Sequence, residues 1–148
     1  MIFGTGLDIV DVDRIRKAHS RWGDKFLRKF MRKEEIEYCH SHNDPVPSIA
    51  VRFAGKEAIS KAFGTGIGEK LSWHDLEIVS HKNGRPTVKL HGGANVMLTE
   101  LGGKHLVERY AVLIITIGAG IRSGQKLVRI RVAVHPTHSR VGQTGEHR

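Results

Sequence analysis

Apolar positions recur along the chain in short stretches, spaced at strand period in some and at helix period in others, and this alternation predicts a mixed fold. Residues 2–10 read as a strand, because Leu7, Ile9 and Val10 favour an extended, packed conformation while Gly4 and Gly6 permit close backbone approach. Asp11 or Asp13 can cap a helix whose Ile15, Ala18 and Trp22 recur at helical spacing, with Arg14, Lys17 and Arg21 on the opposite side. Gly23-Asp24 interrupts it, Phe26, Leu27, Phe30 and Met31 supply a second apolar cluster, and Glu34 to His42 reads as a short helix bearing Ile36 and Cys39. After the turn Asn43-Asp44-Pro45-Val46-Pro47, Ser48 can cap a helix to about Phe63, with core contacts from Val51, Ala54, Ala58, Ile59 and Ala62.

Residues 64–70 form a glycine-rich loop, followed by a strand around Leu76-Glu77-Ile78-Val79. Asn83-Gly84 signals a hairpin, because both residues accept positive φ, and Thr87-Val88-Lys89-Leu90 supplies the return strand. Ala94, Met97, Leu98 and Leu101 mark another helix, and Tyr110 to Ile117 is a nearly continuous apolar run suited to the centre of a sheet. Beyond Gly118 one amphipathic strand through Leu127, Ile130 and Val132 is expected, and Pro136 to Arg148 has little to bury and reads as disordered.

With 148 residues, 39% hydrophobic, the chain suits one domain with a modest core. No apolar run approaches membrane-spanning length and no signal peptide is evident, so a cytoplasmic protein is expected; the single Cys39 cannot form an internal disulfide. Charge adds more than composition does. The 24 basic and 15 acidic residues give a net +9, and from Arg14 to Lys33 nine Lys or Arg residues stand against one acidic residue, Asp24. Such a face steers toward an anionic partner, with nucleic acid, membrane and acidic protein all admissible.

Two carboxylates stand out chemically. Asp8 lies between residues that favour burial, where a carboxylate either takes backbone hydrogen bonds, caps a turn, or holds a divalent cation. Glu57 shares a helix face with Phe53 and Lys61, so it either pairs with Lys61, worth about 0.3 kcal/mol, or faces a cation. The adjoining Gly64-Thr65-Gly66-Ile67-Gly68 can turn backbone N–H groups toward an anion, although it has neither the G-x-G-x-x-G spacing of a dinucleotide site nor the GK[ST] ending of a P-loop. Two separated carboxylates suit magnesium, which keeps waters and shares substrate phosphate; Cys39, His40 and His42 lack the spacing of a zinc site.

The opening Gly4-Thr5-Gly6-Leu7-Asp8-Ile9-Val10-Asp11-Val12-Asp13-Arg14-Ile15 and the run Arg52-Phe53-Ala54-Gly55-Lys56-Glu57-Ala58-Ile59-Ser60-Lys61-Ala62-Phe63-Gly64-Thr65-Gly66-Ile67-Gly68 carry a specific resemblance. With Ser72-Trp73-His74-Asp75 and Asn83-Gly84-Arg85-Pro86 in order, the chain resembles bacterial holo-[acyl-carrier-protein] synthases of the 4'-phosphopantetheinyl transferase superfamily over roughly residues 1–117. The resemblance implies a small α+β domain, an antiparallel sheet packed against helices, at residues 1–117, with 118–148 as a basic extension. It implies transfer of 4'-phosphopantetheine from coenzyme A to a serine of apo acyl carrier protein, as part of fatty acid biosynthesis, with magnesium held by Asp8 and Glu57. On the matched positions Lys61 contacts the reacting phosphate, Arg52 and Lys56 hold the outer phosphates, Gly64, Thr65 and Gly66 line the coenzyme site, and His105 is the candidate base. It further implies a homotrimer with coenzyme A between subunits, and docking of the acidic carrier protein on Arg14, Lys17, Arg21, Lys25 and Arg28.

The match departs from the family pattern after Gly102, where His105-Leu106-Val107-Glu108-Arg109 leads almost directly to Tyr110 and the hydroxyl-bearing segment beyond the histidine is missing. A noncatalytic basic module that binds a carrier protein or partner subunit is the alternative this leaves open. A nucleic-acid-binding domain would use the same basic helix, but no helix-turn-helix, zinc-finger or RNA-reading aromatic signature accompanies it.

Overall fold

Helix α4, Val46–Ala62, is buried on nearly every side and forms the axis of the fold, with Ile49, Ala50, Ala54, Ala58 and Ile59 fully buried. A computed structural model describes residues 4–82, 86–100, 110–111, 116–122 and 125–134. Element order is β1 Gly4–Asp11, α1 Val12–Trp22, α2 Asp24–Leu27, α3 Lys33–His40, α4, a 3-10 turn Trp73–Asp75, β2 Leu76–Ser80, β3 Pro86–Leu90, α5 Gly92–Glu100, β4 Tyr110–Ala111, β5 Thr116–Arg122 and β6 Gln125–Val134. The strands form two antiparallel three-stranded sheets, ordered β1-β6-β5 and β2-β3-β4. Helix α4 packs on β1 and β6, and also touches α1, α3 and β2. This is the expected α+β class.

Strand β1 lies so close to α4 that side chains are excluded between them. A Cβ on Gly4 would collide with the carbonyl oxygen of Ala62, and one on Gly6 with that of Ala58. The small residues of both elements thus form one seam, and the period of two makes Asp8 and Val10 the next inward positions. Leu7 and Ile9 consequently face outward, 47% and 49% exposed, which corrects the expectation that they pack in the core. Gly6→Ala is expected to destabilise the protein by about 2–3 kcal/mol, read as a lower urea midpoint, because the carbonyl it meets belongs to a helix that cannot yield.

Helix starts follow local chemistry. Asp11 caps α1, its carboxylate accepting from Asp13 N at 2.9 Å, and Gly23 ends it at φ 55° with its N–H on His19 O. Ser48, expected to cap α4, instead lies inside it: Asp44 accepts from Val46 N at 3.1 Å, and Pro47 sits in the first turn, where its missing N–H costs nothing. Trp22 is also corrected, being 53% exposed beneath the Arg21 guanidinium, 4.8 Å from its ring centroid, rather than buried with Ile15.

The described ends of the run Tyr110–Ile117 lie in different sheets. Tyr110–Ala111 pairs with the edge of β3, whereas Thr116 and Ile117 begin β5 in the other sheet. The central strand of that sheet is β6, whose Val128, Ile130 and Val132 are buried over α4 and which pairs with the whole length of β1 from Gly4↔Val134 to Asp11↔Leu127. The division at residue 117 therefore runs through β5, and β6 closes the core. Ser80↔Pro86 is the last pair of the β2–β3 hairpin; the turn expected at Asn83-Gly84, His105 and residues 135–148 lie outside the described residues.

Candidate functional site

The glycine seam delivers Asp8 to the last turns of α4. Its carboxylate is 16% exposed, and Lys61 Nζ donates to Asp8 Oδ1 at 2.8 Å and to Leu7 O at 3.2 Å. Lys61 itself is half exposed, so this pair is open to solvent and exchangeable. Glu57, one turn earlier on the same helix face, does not take Lys61 as its ion-pair partner. Desolvation first, and then the nearby Asp8 charge, raise its pKa above the ordinary carboxylate value, with Lys61 opposing the shift. Among the described residues no donor bonds its carboxylate.

Asp8 thus carries one half-exposed ammonium, and Glu57 feels both its own burial and the Asp8 charge, an arrangement in which the two carboxylates can hold a further cation. Among the described residues no cluster of three or more His, Cys, Asp or Glu could enclose a metal. Two carboxylates offer hard oxygen donors, a set that suits magnesium and not a closed zinc site.

Other sequence expectations separate from this centre. Lys56, expected at the outer phosphates, is fully buried: its Nζ donates to Phe30 O at 2.6 Å, Glu35 Oε2 at 2.7 Å and Trp73 O at 3.3 Å, which consumes all three donors. Arg52, expected beside it, is 2% exposed, donates to Ser48 O and Ser80 Oγ, and lies 4.5 Å over the Tyr38 ring. Both are interior cations turned toward α3 and β2. Helical period explains the miss, since residues 52 and 56 share one face and 53, 57 and 61 the neighbouring one.

The glycine-rich loop is likewise a helix ending. Gly64 and Gly66 take φ of 77° and 69°, the N–H groups of Thr65 and Gly66 both turn back to Ser60 O, Gly64 N bonds Lys61 O and Gly68 N bonds Leu71 O. The donors expected to face an anion at Gly64, Thr65 and Gly66 are occupied. The helix C-terminus also carries the negative end of its dipole, which favours a cation nearby. Cys39 offers no nucleophile, because burial pushes its thiol up to about 11.

Next to the site, Phe53 and Trp73 stack with centroids 5.3 Å apart, and Phe30 meets both edge-on. The basic side chains of Arg14, Lys17, Arg21, Lys25 and Arg28 are all exposed. Among the described residues no helix is long and apolar enough to cross a membrane.

A family model described as the 4'-phosphopantetheinyl transferase superfamily matches residues 4–115. The holo-[acyl-carrier-protein] synthase of Koribacter versatilis is 46% identical over 118 residues, spanning 76% of this chain and 94% of that protein. That of Chlorobaculum parvum is 50% identical over 86 residues, 58% of this chain and 74% of its own length. The fold superposes on the Neisseria meningitidis synthase with a TM-score of 0.69 at 29% identity, covering 91% of this chain and 100% of the other. The Helicobacter pylori synthase, solved in complex with coenzyme A, gives a TM-score of 0.65 at 30% identity, covering 88% and 99%.

Proposed function

The chain belongs to the 4'-phosphopantetheinyl transferase superfamily and transfers 4'-phosphopantetheine from coenzyme A to a serine of apo acyl carrier protein; from that premise we propose that Asp8 and Glu57 hold its magnesium ion. The observation that carries this reading is the convergence of the two carboxylates, one paired only with an exposed lysine and the other pushed upward by burial and by its neighbour. Magnesium bound there would neutralise the coenzyme's pyrophosphate and stabilise charge on the departing phosphate.

The protein's own side chains do the rest. In the transfer, the carrier serine Oγ forms a bond to the phosphorus that bears pantetheine. The bond from that phosphorus to the bridging oxygen breaks, and adenosine 3',5'-bisphosphate leaves with the electron pair. Lys61, half exposed and bonded to Asp8, would turn from that carboxylate to the leaving phosphate and offset its developing charge. His105 is the base that takes the serine proton, on its position in the family motif. A cytoplasmic location belongs to this reading, and among the described residues no helix is long and apolar enough to cross a membrane.

Arg14, Lys17, Arg21, Lys25 and Arg28 form the docking surface for the acidic carrier protein, and the exposed Trp22 adds an aromatic contact within it. A homotrimer follows from the resemblance, and the uncovered outer face of β1 and β6, with Leu7 and Ile9 beside Arg129 and Arg131, supports contact between copies.

Lys61→Met tests the exchange. Mn2+ binding, followed by the loss of its free electron-paramagnetic-resonance signal, is expected to stay as tight as in wild type or tighten, while transfer slows about 100-fold. Loss of Mn2+ binding together with the rate would contradict it.

A further inference from the structure

Helix α4 is gripped from two sides. Toward β1 the glycine seam sets its distance, and toward α3 the buried Lys56 ammonium spends its donors on Phe30 O, Glu35 Oε2 and Trp73 O. Glu35, 2% exposed, answers with both oxygens: Oε2 also accepts from Arg32 N at 2.8 Å and Oε1 from Ile78 N at 2.9 Å. One ion pair therefore ties together the segment before α3, α3 itself, α4, the 3-10 turn and β2.

Stability alone does not account for such a pair, because apolar residues of similar volume commonly replace a buried ion pair without loss. Direction does. Hydrogen bonds prefer near-linear geometry, so three of them on one ammonium fix the rotation of the helix that carries it, which apolar packing defines far less sharply. Consecutive helix residues are turned by about 100°, so a fixed Lys56 fixes where Glu57 points. Without that fixation the seam would still hold α4 near β1, but residue 57 could turn away from Asp8.

We propose that the Glu35–Lys56 pair is a positioning device that sets the rotation of α4 so that the Glu57 carboxylate stands beside Asp8, and thereby sets the site's affinity for its divalent cation. The inference rests on the reading of Asp8 and Glu57 as cation ligands. Neither Glu35 nor Lys56 touches the substrates in this account.

The test compares wild type, Asp8→Asn, Glu35→Gln and the double variant Glu35→Met/Lys56→Met by Mn2+ binding and by steady-state kinetics. The double variant removes both charges of the pair while buried Arg52 keeps its bonds to Ser48 O and Ser80 Oγ, and it is expected to melt closer to wild type than either single replacement. It is expected to bind Mn2+ about 10-fold more weakly, as loss of a ligand-orienting partner does, with KM for the cation raised in step and KM for coenzyme A unchanged. Mn2+ affinity within twofold of wild type in a double variant of matched thermal midpoint overturns the proposal. Should the double variant not fold, Glu35→Gln decides instead: it keeps an acceptor for Ile78 N but removes the charge, and unchanged Mn2+ affinity there overturns the proposal equally. Asp8→Asn binding Mn2+ as tightly as wild type would overturn the ligand reading itself, a result distinct from either of these.

Discussion

Glu57→Gln is expected to slow carrier-protein modification by about 100- to 1,000-fold and, at the same time, to raise the thermal midpoint of the cation-free protein at pH 7. The first effect follows from removing one of two anionic ligands where charge develops on the leaving phosphate. The second follows from the direction of its pKa shift. Burial and Asp8 raise the Glu57 pKa, so the folded protein binds its proton more readily than the unfolded chain does. Its ionised form therefore opposes folding, and that cost grows as pH rises from the ordinary carboxylate value through the raised one. A neutral glutamine escapes the cost at pH 7, and its advantage should shrink as pH falls through that window and Glu57 becomes protonated. Paired activity assays and melts from pH 4 to 8 check both halves; a variant less stable than wild type at pH 7 would show that Glu57 stabilises the fold rather than waiting for a cation. A site that costs stability when empty is the usual mark of a group placed for function.

The second large effect lies one residue away. Lys56→Met is expected to cost about 3–5 kcal/mol in urea unfolding, because it strands the Glu35 carboxylate in the interior without its ammonium. Glu35 would keep its bonds from Arg32 N and Ile78 N, yet two backbone donors do not balance a full charge that is 1% exposed. The double replacement Glu35→Met/Lys56→Met should recover most of the loss. A single variant within about 1 kcal/mol of wild type would contradict this, showing that the interior ion pair contributes little to stability.

Adjacent residues on α4 thus have opposite roles, and only part of this was legible in the sequence. The motif runs pointed to Asp8 and Glu57 together, and the helical spacing of 53, 57 and 61 placed Glu57 and Lys61 on one face. Spacing could not say that Lys61 crosses to Asp8, because its partner arrives from a strand 53 residues earlier in the chain. Nor could it show that the neighbouring face, with Arg52 and Lys56, is interior. A lysine between Gly55 and Glu57 reads as a surface residue until α3 supplies Glu35 from 21 positions away.

The same limit applies to the strands. Alternation in β1 was readable, but its phase was not: Leu7 and Ile9 were expected inside because they are apolar, whereas the close approach of α4 reserves the inner face for Gly4, Gly6, Asp8 and Val10. The glycine-rich loop failed for a related reason. Positive φ at Gly64 and Gly66 was foreseeable from composition, but whether the freed N–H groups turn outward to an anion or back onto α4 depends on where the helix stops, and Ser60 O claims two of them. The basic residues from Arg14 to Arg28 were easiest to read, since charge on an amphipathic helix requires only that its apolar side be buried.

The central claim is that Asp8 and Glu57 form the cation half of the transfer site. Intact-mass measurement of apo acyl carrier protein incubated with coenzyme A and the enzyme tests it most directly. Wild type should add one phosphopantetheine with magnesium and none after chelation, and Asp8→Asn and Glu57→Gln, each shown to be folded, should fail to do so on the same timescale. Conversion by either variant at the wild-type rate, or by wild type in the presence of excess chelator, would contradict the account.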